Sequence, residues 1–98
     1  MYSIIFHHDA DTEFLESVDW YEVQSEGLGR RFFISVSSVI KAIQTRPETF
    51  GYSRKPFREA SVAFFPFTIV FTVNKKSKLV YILAVYHTSR NPKMKYRK

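Results

Sequence analysis

Two apolar segments in the last third of the sequence constrain the fold of this chain more than any other feature. From Thr68 to Val73, threonine and valine alternate with larger apolar residues, which predicts a strand with one covered face. From Leu79 to Tyr86 every residue is apolar or aromatic. This run predicts a strand that is buried on both faces or offers its second face to a partner. Asn74 to Ser77 supply a polar hairpin loop, so the two strands are expected to pair in an antiparallel sheet.

A short strand and an amphipathic helix are predicted at the start of the chain. Ser3 to His7 is apolar and ends in a polar cluster, as is typical of a strand. Asp9 or Asp11 is expected to cap the following helix, because a carboxylate accepts hydrogen bonds from the unpaired N–H groups of the first turn. Apolar residues then recur on one face up to about Ser25, where the helix is expected to end.

A glycine-containing turn leads into a second predicted helix. Gly27 and Gly29 form only a turn, since no strand precedes them and no third glycine completes a phosphate-binding loop. Apolar residues at spacings of three and four continue to Pro47, which stops the helix. Arg58 to Phe65 is a weaker strand candidate. In that strand, one side would carry Ala60, Val62 and Phe64.

The predicted fold class is α+β with the order β-α-α-β-β-β, in which two N-terminal helices pack on one face of a small antiparallel sheet. Residues 1–98 are expected to form a single domain, because a chain of 98 residues supports one hydrophobic core. The uncovered sheet face would carry Val70, aromatic side chains and half of the last strand. We expect a partner to bind there; the alternative is that the C-terminal tail or the loop around Phe57 folds over it.

Charge is segregated along the sequence. Seven of the nine acidic residues lie between Asp9 and Glu26, and none of the fifteen Lys and Arg residues precedes Arg30. The basic remainder favours a polyanionic partner such as nucleic acid, an acidic protein segment or a ribosomal surface. A basic surface that only maintains solubility is the alternative.

The composition also indicates the compartment and the absence of cofactors. The chain has no cysteine, no signal peptide and no apolar run of the ~20 residues that a membrane span requires, so a cytoplasmic protein without a membrane partner is expected. His7 and His8 would point to opposite faces of a strand and lack a third ligand, so no metal site is expected. No cofactor is implied.

The element order and several short motifs resemble the RelE/ParE superfamily of bacterial toxins from type II toxin–antitoxin modules. The motifs are the basic stretch from Arg54 to Arg58, the turn and strand from Phe65 to Phe71, and the ending His87-x-x-Arg90-x-Pro92. The resemblance covers nearly the whole chain. It implies growth inhibition, a role in plasmid stabilisation, and neutralisation by a cognate antitoxin whose extended or helical segment wraps the toxin.

The RelE-like branch of the superfamily cuts mRNA on the ribosome, and this sequence departs from its pattern. Thr68 to Phe71 stand where that branch typically has Arg-Leu-Val-Tyr, and the second strand offers Glu59 and Ser61 in place of lysines. A threonine cannot supply the cation that the arginine would direct at the charge developing on a phosphorane. His87 is the remaining candidate acid or base. Its alternative role is structural, as a strand-end histidine that donates to a backbone carbonyl.

This chain resembles the ParE-like branch, which poisons DNA gyrase by binding, more closely than it resembles the RelE-like branch. The resemblance makes the following residues candidates for target binding: Arg58, His87, Arg90, Lys93, Lys95 and Arg97. Candidates for antitoxin binding are Trp20, Val70 and Tyr86. The alternatives are a ribosome-dependent mRNA endonuclease, a non-toxic nucleic-acid-binding domain on the same scaffold, and a degenerate, inactive copy. Whether the chain is an enzyme therefore stays open at this point.

Overall fold

The computed structural model of the chain describes residues 1–89, which form two helices packed on one face of a five-stranded sheet. The elements are β1 (Ser3–Phe6), α1 (His8–Gln24), α2 (Leu28–Thr45), a 3-10 turn (Pro47–Thr49), β2 (Tyr52–Arg54), β3 (Phe57–Ser61), β4 (Phe67–Asn74) and β5 (Leu79–His87). The expected α+β fold with two N-terminal helices is confirmed. Neither helix in this part of the chain is long and apolar enough to cross a bilayer.

The sheet is mixed, with strand order β1-β5-β4-β3-β2. β5 pairs antiparallel with β4 along its whole length, and it pairs parallel with β1 from Ser3↔Leu79 to Phe6↔Ile82. The prediction of an antiparallel sheet therefore missed one parallel pair, β1 with β5. A parallel pair needs a long crossover connection, which the helices and the other strands supply here. Residue patterning indicates that a segment is a strand but not the direction in which it pairs.

The connection around β2 and β3 differs most from the prediction. β2 is a short exposed strand that the sequence did not indicate, since it lacks an alternating pattern. β3 ends at Ser61, and a tight turn follows in which the Phe67 N–H donates to the Phe65 carbonyl over 2.8 Å. Phe64 was predicted to share a side with buried Ala60, but it is 95% exposed and has a positive φ of 69°. That backbone conformation is unfavourable for a residue with a Cβ.

The first helix is capped by a histidine. The His7 Nδ1 accepts a hydrogen bond from the Asp9 N–H over 3.1 Å, and the His7 backbone is extended. The prediction that Asp9 or Asp11 caps the helix is therefore wrong, because both lie inside the first turn. There their negative charges still favour the positive end of the helix dipole.

The junction of α1 and α2 combines an acceptor with two glycines, Gly27 in the turn and Gly29 in the first turn of α2. Gly27 precedes α2 with a φ of 84°, a left-handed conformation that glycine adopts without steric cost. The Glu22 carboxylate accepts from the N–H groups of Gly27 (2.9 Å) and Gly29 (3.0 Å), so it satisfies donors at the start of α2. A Cβ added at Gly29 would lie 2.5 Å from the Val18 carbonyl oxygen. Gly29 therefore permits the close approach of α1 and α2.

The core between the helices and the sheet is built around Phe32. Its ring is fully buried and lies 4.7 Å from the Phe67 ring, 5.0 Å from Tyr21 and 5.1 Å from Phe65, measured between ring centroids. Fully buried aliphatic and aromatic side chains continue the core along α2 and the sheet: Val36, Ile43, Ile69, Phe71, Val80 and Ile82. This core packs both helices against one face of the sheet, so the helices do not cover the opposite face.

Candidate functional site

An apolar groove lies on the sheet face that the helices leave open. Its volume is about 370 Å³. Ile5, Tyr81 and Thr72 occupy directly paired positions on β1, β5 and β4, so their side chains share one face. Ile5 is 42% exposed and Tyr81 37% exposed. The groove is completed by Phe6 and His7 on one side, by Pro56 and Phe57 on the other, and by Leu83.

A bulge in β5 explains why its apolar run is continuous. The pairing Phe71↔Ile82 is followed by Val70↔Ala84, so Leu83 is an extra residue without a partner on β4. Ile82 belongs to the core under the helices, whereas Leu83 and Ala84 belong to a second buried cluster on the open face. The consecutive apolar residues of β5 therefore contribute side chains to the core under the helices and to the cluster on the open face.

The structure separates the three candidate antitoxin-binding residues. Val70 is fully buried and Tyr86 is 5% exposed, and both lie in the second cluster beside the groove. Trp20 is 59% exposed but lies on α1, on the helical side of the sheet. Direct contact of a partner with Val70 or Tyr86 would require that cluster to open. The antitoxin-binding role of all three residues stays a prediction.

Residues 50–89, which supply five of the eight residues lining the groove, are rich in basic side chains. Residues 50–89 include six basic residues and one acidic residue, Glu59. The basic residues are Arg54, Lys55, Arg58, Lys75, Lys76 and Lys78. An apolar groove beside this excess of basic residues favours a partner segment that is apolar and also carries carboxylates.

Arg58 is held by neighbouring groups of the chain. Its Nη1 donates to the Phe50 carbonyl over 2.6 Å and to the Glu48 carbonyl over 3.4 Å, and its Nη2 donates to the Tyr52 hydroxyl over 2.9 Å. The guanidinium also lies 4.0 Å from the centroid of the Tyr52 ring. Arg58 thus connects β3 to the segment after α2, and its predicted target-binding role stays untested.

Glu48 links the N-terminus to the β4–β5 hairpin. Its carboxylate accepts from the Tyr2 hydroxyl over 2.9 Å and pairs with the Lys75 ammonium over 2.8 Å. The hydrogen bond from Lys75, followed by that from Tyr2, holds the pKa of Glu48 below its ordinary value of 4.5. The same carboxylate raises the pKa of Lys75 above 10.5.

These directions predict an acid-sensitive contribution to stability. A carboxyl whose pKa is lowered by folding contributes fully above its unfolded pKa, and the contribution is lost as the pH falls through the lowered folded pKa. Glu48→Gln should therefore be less stable than the native chain at pH 7, and the difference should shrink below pH 4.5. Urea unfolding midpoints from pH 7 downward measure this. Glu26→Gln, at an exposed position in the helical turn, is the control; a native-to-Glu48→Gln difference that is constant with pH would contradict the prediction.

His87 lies at the end of β5 and is bonded locally. Its Nδ1 accepts from the Ser89 N–H over 3.1 Å and lies 2.7 Å from the Ser89 hydroxyl oxygen. The ring also packs edge-on against Phe67 at 5.1 Å. His87 thus makes a local structural contact at the end of β5, as one alternative predicted. Its Nδ1 accepts a hydrogen bond, whereas donation to a backbone carbonyl was expected. Its roles in catalysis and in target binding stay predictions.

The structure does not bring His87 and Arg58 together. His87 pairs with Phe67 and Arg58 pairs with Phe71, four residues further along β4, which corresponds to roughly 13 Å at the rise of a strand. Within residues 1–89 no three His, Asp or Glu side chains are grouped so as to hold a metal ion. The other candidate target-binding residues, Arg90, Lys93, Lys95 and Arg97, lie outside the described residues.

The sequence predicted a partner-binding face of the sheet but not the residues that line the groove. Ile5 and Tyr81 are far apart in the chain, and only the parallel pairing of β1 with β5 places them side by side. The apolar run of β5 was the available signal, since it indicated an occupied or partner-binding second face. It could not indicate which residues of β1 or of the β2–β3 connection complete the groove.

Comparison with solved structures finds similar chains, two of which come from toxin–antitoxin complexes. A chain of the chromosomal ParDE TA system from P. aeruginosa matches with a TM-score of 0.64 and 17% sequence identity, over 91% of this chain and 98% of that chain. A chain of the archaeal RelE–RelB complex from Pyrococcus horikoshii OT3 matches with a TM-score of 0.46 and 16% identity, over 92% of this chain and 98% of that chain. No protein-family model and no curated protein matches the sequence. The first match confirms at the level of the fold the resemblance that the sequence motifs indicated.

Proposed function

We propose, from the RelE/ParE fold of this chain, that it is the toxin of a type II toxin–antitoxin module, that it acts in the cytoplasm by binding DNA gyrase, and that a cognate antitoxin neutralises it. The observation that carries the proposal is the apolar groove on the open sheet face of this fold. The proposal assigns the groove to the antitoxin.

The chemistry of the groove supports an antitoxin segment as its occupant. The exposed apolar side chains of Ile5 and Tyr81 provide surface for apolar anchors. The basic residues of residues 50–89 outnumber the acidic ones even with Lys75 paired to Glu48, and this excess favours carboxylates beside those anchors. A disordered segment that folds on binding can present apolar anchors and carboxylates to the groove at the same time.

The bonding of the candidate catalytic groups supports action by binding over RNA cleavage. General acid–base catalysis needs a proton-transfer group and cations converging on one phosphate. Arg58 is engaged with backbone carbonyls and Tyr52, and the His87 Nδ1 is engaged with Ser89. Thr68, where the nuclease branch has an arginine, is half-buried in β4. These groups already serve the fold, and a binding toxin makes no catalytic demand on them.

Supercoiling assays with purified gyrase test the proposed target. The purified chain should inhibit supercoiling or trap cleaved DNA, and its induction should arrest growth unless the neighbouring gene product is co-expressed. Primer extension on translated mRNA distinguishes the alternative: codon-phased cuts without gyrase inhibition would replace the binding mechanism with mRNA cleavage. Normal growth on induction together with unaffected gyrase would contradict the proposal as a whole.

A groove variant tests the antitoxin site. Tyr81→Glu places a charge on the groove floor at a partly exposed position, so it should retain the fold and toxicity but lose rescue by the neighbouring gene product. Phe64→Glu is the matched control, because it changes an exposed aromatic residue in the β3–β4 turn, outside the groove. Full rescue of Tyr81→Glu, or loss of rescue by Phe64→Glu alone, would place the antitoxin elsewhere. A Trp20→Ala variant assays the predicted contact on α1 in the same experiment.

A further inference from the structure

The two helices carry opposite charge on a common outer surface. α1 contains six acidic residues and no Lys or Arg, whereas α2 contains Arg30, Arg31 and Lys41 and no acid. Within residues 1–89, Glu16 and Asp19 form no ion pair with Arg30, Arg31 or Lys41, although the helices lie side by side. The hairpin therefore presents unpaired complementary charges to its surroundings.

The same surface exposes large apolar side chains. Val23 is 83% exposed, Ile34 53%, Leu15 51% and Phe33 46%. At 100° per residue, Glu16, Asp19 and Val23 lie on the side of α1 opposite Phe14, and Arg30, Ile34 and Lys41 lie on the side of α2 opposite Phe32. Since Phe14 and Phe32 point into the core, these residues form one face, which we call the outer helix face.

We propose that a second copy of this chain packs on the outer helix face, with α1 of each copy on α2 of the other. Charge complementarity selects this arrangement. A two-fold axis parallel to the helices places acidic α1 opposite basic α2 twice, once on each side of the axis. A two-fold axis across the helices would place α1 on α1 and bring like charges together, which is costly at an interface.

The register of this dimer follows from the hairpin. Rotation about an axis parallel to the helices leaves the height of each residue along them unchanged. The Phe14 and Phe33 rings stack at 5.4 Å, and Gly29 lies against Val18. Leu15 is therefore within one residue of Phe33 in height, and Asp19 is within two residues of Arg30, an offset of about 3 Å along the helix axis that these side chains can span. In the dimer, Leu15 of one copy meets Phe33 and Ile34 of the other, and Asp19 meets Arg30.

Charge-reversal variants test this pairing. Asp19→Arg and Arg30→Asp change exposed side chains, so both variants should fold, as circular dichroism and thermal unfolding would show. Each homodimer would then contain two like-charge contacts, so its dissociation constant from sedimentation velocity should rise at least about tenfold. In an equimolar mixture both contacts become complementary again, and the heterodimer should dissociate like the native dimer.

The matched control is Lys76→Glu, which alters charge in the β4–β5 hairpin, away from the outer helix face. Its dissociation constant should stay unchanged. The proposal is overturned if the native chain is a monomer throughout the concentration series, if the dimer is insensitive to both reversals, or if mixing the two variants fails to restore association. None of these results depends on toxicity, so they leave the proposed function to its own test.

Discussion

Replacing Phe32 with alanine should lower the free energy of unfolding by about 3–5 kcal/mol, the range for a fully buried phenylalanine. The ring contacts Tyr21 on α1, Phe65 in the β3–β4 turn and Phe67 on β4, so its loss leaves a cavity where three elements meet. A domain of this size has only about 5–15 kcal/mol of stability, so the variant should be close to unfolded at 37 °C. Urea unfolding followed by circular dichroism measures the loss.

Phe33→Ala is the matched control for that variant. Phe33 neighbours Phe32 on the same helix, but it is 46% exposed and stacks on Phe14 alone among the described aromatic rings. Its replacement should shift the urea midpoint much less than Phe32→Ala. Equal shifts for the two variants would contradict the central role of Phe32.

Gly29→Ala should destabilise the chain by about 1–3 kcal/mol, the usual cost of overpacking. In an exposed helix interior the same substitution stabilises, because alanine is the better helix former. At Gly29 the added Cβ would lie 2.5 Å from the Val18 carbonyl oxygen and 2.9 Å from the Glu22 Cβ, so α1 and α2 must move apart. That movement also weakens the two hydrogen bonds that Glu22 accepts at the start of α2.

Thermal unfolding of Gly29→Ala beside Gly51→Ala tests this argument. A Cβ at Gly51 meets no atom within 4 Å, so that control should unfold near the native temperature. A melting temperature for Gly29→Ala at or above the native value would show that the helices have room for the methyl group.

Local signals in the sequence predicted most elements of the fold. Pro47 ended the second helix as expected, and the alternation from Thr68 to Val73 lies within β4. Sequence periodicity failed where the decisive interaction is non-local or where a turn interrupts the pattern. Phe64 fitted an alternating strand, yet the turn before Pro66 places it outside the sheet with a positive φ.

The candidate site was less predictable because it depends on strand pairing. Tyr81 was interpreted as a sheet-packing aromatic or a base-stacking residue, and Ile5 joins it in the groove only through the parallel pairing of β1 with β5. Arg58 was predicted as a target-binding residue, and the sequence did not indicate that its guanidinium donates to the Phe50 carbonyl. A sequence shows which side chains are charged, whereas the backbone acceptors that engage them depend on the folded path of the chain.

The parallel pairing of β1 with β5 also has a consequence for biosynthesis. Ser3 finds its partner only at Leu79, so the central sheet cannot be completed until nearly all of the described chain has left the ribosome. Contacts so distant in sequence slow folding, since the chain must close a large loop before they form. The groove depends on the same pair, so a nascent chain lacks it until residues 79–82 have been synthesised and have paired with β1.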